Sequence, residues 1–179
     1  MNIFNFLSDV IALFLLWLFM QAALHKLHTG NGEYYKKTLE GYGIKNVNMG
    51  LGLRYFLGVI ELVVALALVF ESTRSEATIV AVTLLGSYLL AMTTQLIQGK
   101  RDVSCGCSGP NSQIKIGWPL IIRNAVLIAM ALICSLPGTH FSTSLWFAVI
   151  MASAFLILTY LCVENLIANA QKISILRAH

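Results

Sequence analysis

The sequence predicts an all-α integral membrane protein, a bundle of transmembrane helices forming one domain over residues 1–179. Its 179 residues are 58% hydrophobic and only 11% charged, with mean hydropathy +0.77, whereas soluble domains carry about 25% charged residues. Five apolar runs, about 4–24, 53–70, 77–97, 118–136 and 145–166, approach the roughly 20 residues that cross a hydrocarbon core. Basic residues gather on alternate connections between those runs, as they do in short loops sorted across a bilayer.

The first run has no Lys or Arg before Lys26 and exceeds a secretory h-region in length. It therefore reads as a retained helix rather than a cleaved signal. Gly30-Asn31-Gly32 then breaks it. Residues 33–40 suit a short interfacial helix, with Tyr34, Tyr35 and Tyr42 at headgroup level and Lys36 and Lys37 toward phosphates. Gly41, Gly43, Gly50 and Gly52 interrupt the chain before the second span. Residues 71–76 read as a tight connection to the third. The loop 99–117 is rich in turn formers, including Gly106, Gly109-Pro110-Asn111-Ser112 and Gly117. Pro119 falls just inside the fourth span, where a missing N–H costs little. Pro137 stops that helix, and the fifth span follows.

Of the 12 Lys and Arg residues, Arg74 alone falls away from the first loop, the third loop or the C-terminal tail. The others are Lys26, Lys36, Lys37, Lys45 and Arg54, then Lys100, Arg101, Lys115 and Arg123, then Lys172 and Arg177. The positive-inside rule puts these segments in the cytoplasm and the N-terminus outside.

The chemistry concentrates in Asp102-Val103-Ser104-Cys105-Gly106-Cys107-Ser108-Gly109. Two thiols one residue apart can close a small disulfide or chelate a soft metal. A disulfide prefers Cα atoms roughly 4.4–6.8 Å apart, and a Cys-Gly-Cys ring approaches this only because glycine tolerates unusual dihedrals. Such a bond is labile, suited to exchange rather than to stapling. Cys134 and Cys162 lie in apolar helices and read as small hydrophobes. Alternating helices put Lys26, Arg54 and Arg123 at the face of the thiol loop, where positive charge raises thiolate content. Glu61, seven residues beyond Arg54 on one helix face and about 10 Å deeper, should face the bundle interior opposite Arg123, Lys26 or Gln95. Glu61 or Asp102 would shuttle the proton. For Lys26 and Arg54 the plainer reading is snorkelling at helix ends, and for Glu61 and Arg123 a structural interhelical pair.

These residues resemble a known family. A first helix ending in His25-Lys26-Leu27, followed by a loop bearing tyrosines and glycines, resembles the DoxX-like membrane proteins. Arg54 and Glu61 on the second helix, then Asp102-x-x-Cys105-Gly106-Cys107-x-Gly109 and Arg123-Asn124, are similar to the methylamine-utilisation MauE branch. Ser108 stands where the family pattern carries an aromatic residue. The resemblance implies a four-helix core like that of DsbB and the vitamin K epoxide reductases, with a peripheral fifth helix. It implies disulfide formation or isomerisation in exported proteins at a bacterial inner membrane, with a thioredoxin-like partner or protein-thiol substrate. By analogy it suggests a quinone acceptor. Exported substrates fit poorly with thiols on the cytoplasmic side. Electrons relayed across the membrane, basic residues clustered for function, or a loop that dips into the bundle would each resolve this.

Two other classes compete with a thiol–disulfide oxidoreductase. One is a binding or transport protein gathering Cu(I) or Zn(II) on the cysteines. A closed zinc site needs four ligands, and only His25 and His28 would share the thiol face, so no resident metal is expected. The other is a non-catalytic subunit that docks a soluble redox enzyme. The sequence has no Cys-x-x-Cys, haem-attachment motif or phosphate-binding glycine loop, and no nucleic-acid partner is expected.

Overall fold

The computed structural model describes residues 3–44, 46–99, 106, 114–135 and 143–177. Its helices are α1 (Ile3–Leu27), α2 (Gly32–Gly41), α3 (Val47–Ala67), α4 (Glu71–Ile97), α5 (Trp118–Cys134) and α6 (Thr143–Arg177), with a 3-10 turn at Thr29–Asn31. α1 packs on α3, α3 on α4, α4 on α5 and α5 back on α1, which closes a four-helix ring; α6 lies outside it against α1. The expected four-helix core with an added helix is what forms.

The pattern of burial is that of a membrane protein. Large apolar side chains such as Ile79, Leu90, Phe147 and Phe155 point outward, while Lys26, Arg54, Glu61, Asp9, Arg74 and Arg123 are buried. Backbone bonds satisfied within each helix, and charges hidden from lipid, are what a bilayer requires. α1, α3, α4 and α6 are each long and apolar enough to cross a membrane, whereas α5 is a shorter apolar helix. At 17 residues, α5 reaches only the lower end of the spanning range.

Packing rather than water exclusion holds such helices together, and small residues let them approach. Ala12, Ala65, Ala81 and Ala131 lie in the core beside Phe14, Leu15, Phe19, Leu68, Leu85 and Leu127. The α6 side chain Tyr160 meets Phe14 and Trp17 of α1 edge-on, at centroid distances of 5.6 and 6.0 Å.

Several boundaries differ from the sequence reading. Residues 71–76 are not a connection: they are the opening turns of α4, and the link is only Leu68–Phe70. Arg74, on that opening stretch, is buried and paired with Asp9 of α1 at 2.6 Å. α6 continues well past residue 166, to Arg177. Apolar content marks where a helix is in lipid, not where it stops.

Candidate functional site

The site is built where α1 ends. Gly58 on α3 lets the two helices touch: a Cβ there would lie 3.1 Å from Leu27 Cγ and 3.2 Å from Lys26 Cβ. Arg54, Gly58, Glu61 and Ala65 share one buried face of α3 at helical spacing. That contact brings Lys26 onto Glu61. Lys26 Nζ donates to both Glu61 oxygens at 2.8 Å, and the two side chains are 5% and 0% exposed. Tyr88 of α4 completes the cluster. Its hydroxyl donates to Glu61 Oε1 at 2.7 Å, and its ring lies 5.3 Å from Lys26 Nζ. Ammonium, carboxylate and phenol thus arrive from three helices, which is how buried charge is tolerated.

Arg54 does a different job. Its Nε donates to the Lys26 carbonyl and its Nη2 to the His28 carbonyl. Carbonyls at a helix C-terminus lack intrahelical donors and sit at the negative end of the dipole, so this fork caps α1. The guanidinium also stacks by Tyr35 and Tyr55, 5.4 and 5.0 Å from the ring centroids. Tyr35 was expected among headgroups; instead it is buried against Arg54, because α2 folds down onto α3.

Between α2 and the bundle lies a cavity of about 220 Å³. Leu39, Ile44, Leu53, Leu57 and Ala91 make it apolar, while Lys26, Arg54, Tyr35, Thr38, Tyr42 and Tyr88 give it polar edges. Gly106 forms part of its wall. This residue has φ +75, a left-handed conformation open to glycine at little strain, and a Cβ added there would meet Thr38 Cγ2 at 3.4 Å. Cys105, Cys107 and Asp102 lie outside the described residues. The described cysteines are Cys134, buried, and Cys162, exposed.

Of the residues named from sequence, the structure pairs Lys26 with Glu61 and sets Lys26 and Arg54 on the cavity that Gly106 also lines. Arg123 is placed elsewhere. It does not line that cavity; it pairs with Glu164 of α6 at 2.7 Å and lies 5.8 Å from the Tyr160 ring. Glu61 therefore takes Lys26 as its partner, and Arg123 and Gln95 are not called on. Neighbouring Asn124 is buried and donates to Met92 Sδ at 3.9 Å. Sequence reasoning missed Tyr88, Tyr35, Glu164 and the Asp9–Arg74 pair. An Asp inside an apolar run is itself a signal for a buried partner. Tyr88 carried no such mark. Among the described residues no group of three or more His, Cys, Asp or Glu could hold a metal ion.

These features define a polytopic α-helical membrane protein whose four-helix core buries an ion-pair cluster beside an apolar cavity. Comparison with known sequences makes the class specific. The family model described as "Methylamine utilisation protein MauE" matches residues 4–137, and the chain belongs to that family. The methylamine utilization protein MauE of Paracoccus denitrificans is 29% identical over 120 residues, 67% of this chain and 63% of its own length. That of Paracoccus versutus is 34% identical over 119 residues, 66% of this chain and 63% of its own length. The chain thus spans somewhat less than two thirds of each of these relatives. No solved structure matches.

Proposed function

We propose that the chain is a membrane thiol–disulfide oxidoreductase serving methylamine utilisation, the process for which its relatives are named. The observation that carries this reading is Gly106: the residue between the two cysteines walls the cavity that Lys26, Arg54 and Tyr88 also line. A Cys-Gly-Cys segment held there would keep its thiols near fixed positive charge, which favours thiolate.

The step is exchange. A thiolate of a thioredoxin-like partner attacks one sulfur of a Cys105–Cys107 disulfide. That S–S bond breaks, a mixed disulfide forms, and the displaced cysteine leaves as thiolate. The partner's second thiolate then attacks the mixed disulfide. The partner departs oxidised by two electrons, and Cys105 and Cys107 remain as a dithiol once their sulfurs are protonated. Lys26, Glu61 and Tyr88 form a hydrogen-bonded route for those protons at the cavity edge. Lys26 and Arg54 stabilise the leaving thiolate.

Returning the pair to a disulfide needs a two-electron acceptor in the membrane. A quinone fits the cavity as a class: the walls are apolar, the polar edge offers Lys26 Nζ and the Tyr88 hydroxyl, and the volume suits a ring. Leu53, Leu57 and Tyr42 would flank such a ring, and the quinone would supply the acceptor for two electrons and two protons.

For orientation we keep the N-out, C-in arrangement in a bacterial inner membrane. Lys26, Arg54, Arg74 and Arg123 are buried and drop out of the charge count. Lys36, Lys37 and Lys172 are exposed on segments at the thiol-loop end, and among the described residues the other end carries no exposed Lys or Arg, which supports that arrangement. The burial of Gly106 favours a loop that dips into the bundle over one that projects into the cytoplasm.

Trapping tests the proposal. Cys105→Ser and Cys107→Ser, expressed separately, should between them capture a partner in a covalent complex that dithiothreitol releases. If neither variant captures a partner and the double variant still supports growth on methylamine, the chain is a non-catalytic subunit. Stoichiometric copper or zinc in the wild type, lost in the double variant, would instead establish soft-metal binding.

A further inference from the structure

α6 lies beyond the residues that the family model matches, yet it grips the end of the thiol loop. Gln171 Oε1 accepts from the Lys115 backbone N–H at 3.0 Å, and Gln171 Nε2 donates to the Lys115 carbonyl at 2.9 Å. One side-chain amide thus satisfies both backbone groups of a single loop residue, as a neighbouring strand would. Ile114 and Ile116, on either side of Lys115, are buried, and Ile167 and Ala168 of α6 pack against their cluster. One turn further back, Glu164 holds Arg123 of α5. Residues 164, 167, 168 and 171 recur at helical spacing, so one stripe of α6 faces the loop exit and α5. The rest of the membrane span of α6 is mostly exposed, so this stripe has a specific task.

We infer that Gln171 is a positioning residue: it clamps the chain at Lys115 and thereby fixes how the Cys105-Gly106-Cys107 segment is presented. The inference rests on the redox reading for its purpose, but not for its geometry. In full-length protein in nanodiscs, Gln171→Ala should raise amide hydrogen exchange at Lys115 by about tenfold, as two hydrogen bonds are lost. It should also change the alkylation rates of the reduced Cys105 and Cys107 thiols by a measurable factor. Gln171→Glu keeps the acceptor for the Lys115 N–H, so it should retain most of the protection; Lys172→Ala, exposed next door, should change neither readout. Unaltered exchange at Lys115 in Gln171→Ala, or altered exchange with unaltered thiol alkylation, overturns the inference. If both readouts move but the cysteines never form a disulfide, the clamp stands and the oxidoreductase proposal fails.

Discussion

Glu61→Leu removes the acceptor of two donors at once. Lys26 loses both carboxylate oxygens and Tyr88 loses its 2.7 Å bond, leaving an ammonium on a residue 4% exposed. Breaking a buried pair from one side costs about 3–5 kcal/mol. Helices that remain in the bilayer when unfolded find other partners there, so the loss should fall at the low end, about 3 kcal/mol. Removing both charges together is different. Apolar replacement of a buried pair is commonly neutral or stabilising, so Lys26→Met with Glu61→Leu should recover most of what either single change loses. The coupling in the double-mutant cycle should therefore approach the sum of the two single losses, roughly 5 kcal/mol, above the range usual for residues in contact. Reversible unfolding in mixed detergent micelles would measure it. Thiol exchange should remain lost in the recovered double variant, which separates the pair's structural part from its chemical one. Single variants that lose under about 1 kcal/mol, or a double variant equal to their sum, would refute a coupled buried pair.

Three further outcomes follow from the same geometry. Gly58→Ala gains about 0.5–1 kcal/mol of helix propensity but forces α1 away from α3, an overpacking penalty of about 1–3 kcal/mol; a net loss of stability in micelles is expected, with the Lys26–Glu61 contact loosened. Gly106→Ala must hold a Cβ at φ +75, a strain of about 1–2 kcal/mol, and should slow thiol exchange at least severalfold while lowering the melting temperature by only a few degrees. Asp9→Leu strands Arg74 on a buried surface and should lower stability by about 3 kcal/mol, with thiol exchange per folded molecule unaltered, since Asp9 and Arg74 do not line the cavity.

How much of this was legible beforehand depends on what each residue advertises. A charge inside an apolar run advertises itself, and the seven-residue step from Arg54 to Glu61 fixed their common face; both lie where that spacing puts them. The partner of Glu61 was not legible, because Lys26, Arg123 and Gln95 all satisfied the same condition. Gly58 decided between them, and its role depends on a contact between helices that periodicity does not reveal. Boundaries failed for a related reason. The polar opening turns of α4 and the end of α6 continue as helix outside the apolar window, which hid Arg74 as a partner for Asp9 and hid Gln171 altogether. Tyr35 reads as an interfacial aromatic and Tyr88 carries no signal at all; only the fold of α2 and α4 toward the α1 terminus turns them to the buried charges.

The most direct test of the central claim is the redox state of Cys105 and Cys107 themselves. Purified protein in nanodiscs would be equilibrated across a series of dithiothreitol buffers and quenched in acid. Alkylation of the peptide carrying both cysteines would then be followed by mass, with Cys134 and Cys162 replaced by Ser. A redox pair predicts a two-electron transition from two alkyl groups to none, with a midpoint more oxidising than that of a structural disulfide and shifted by Lys26→Met. Two alkyl groups at every potential would contradict the account and leave the loop without exchange chemistry.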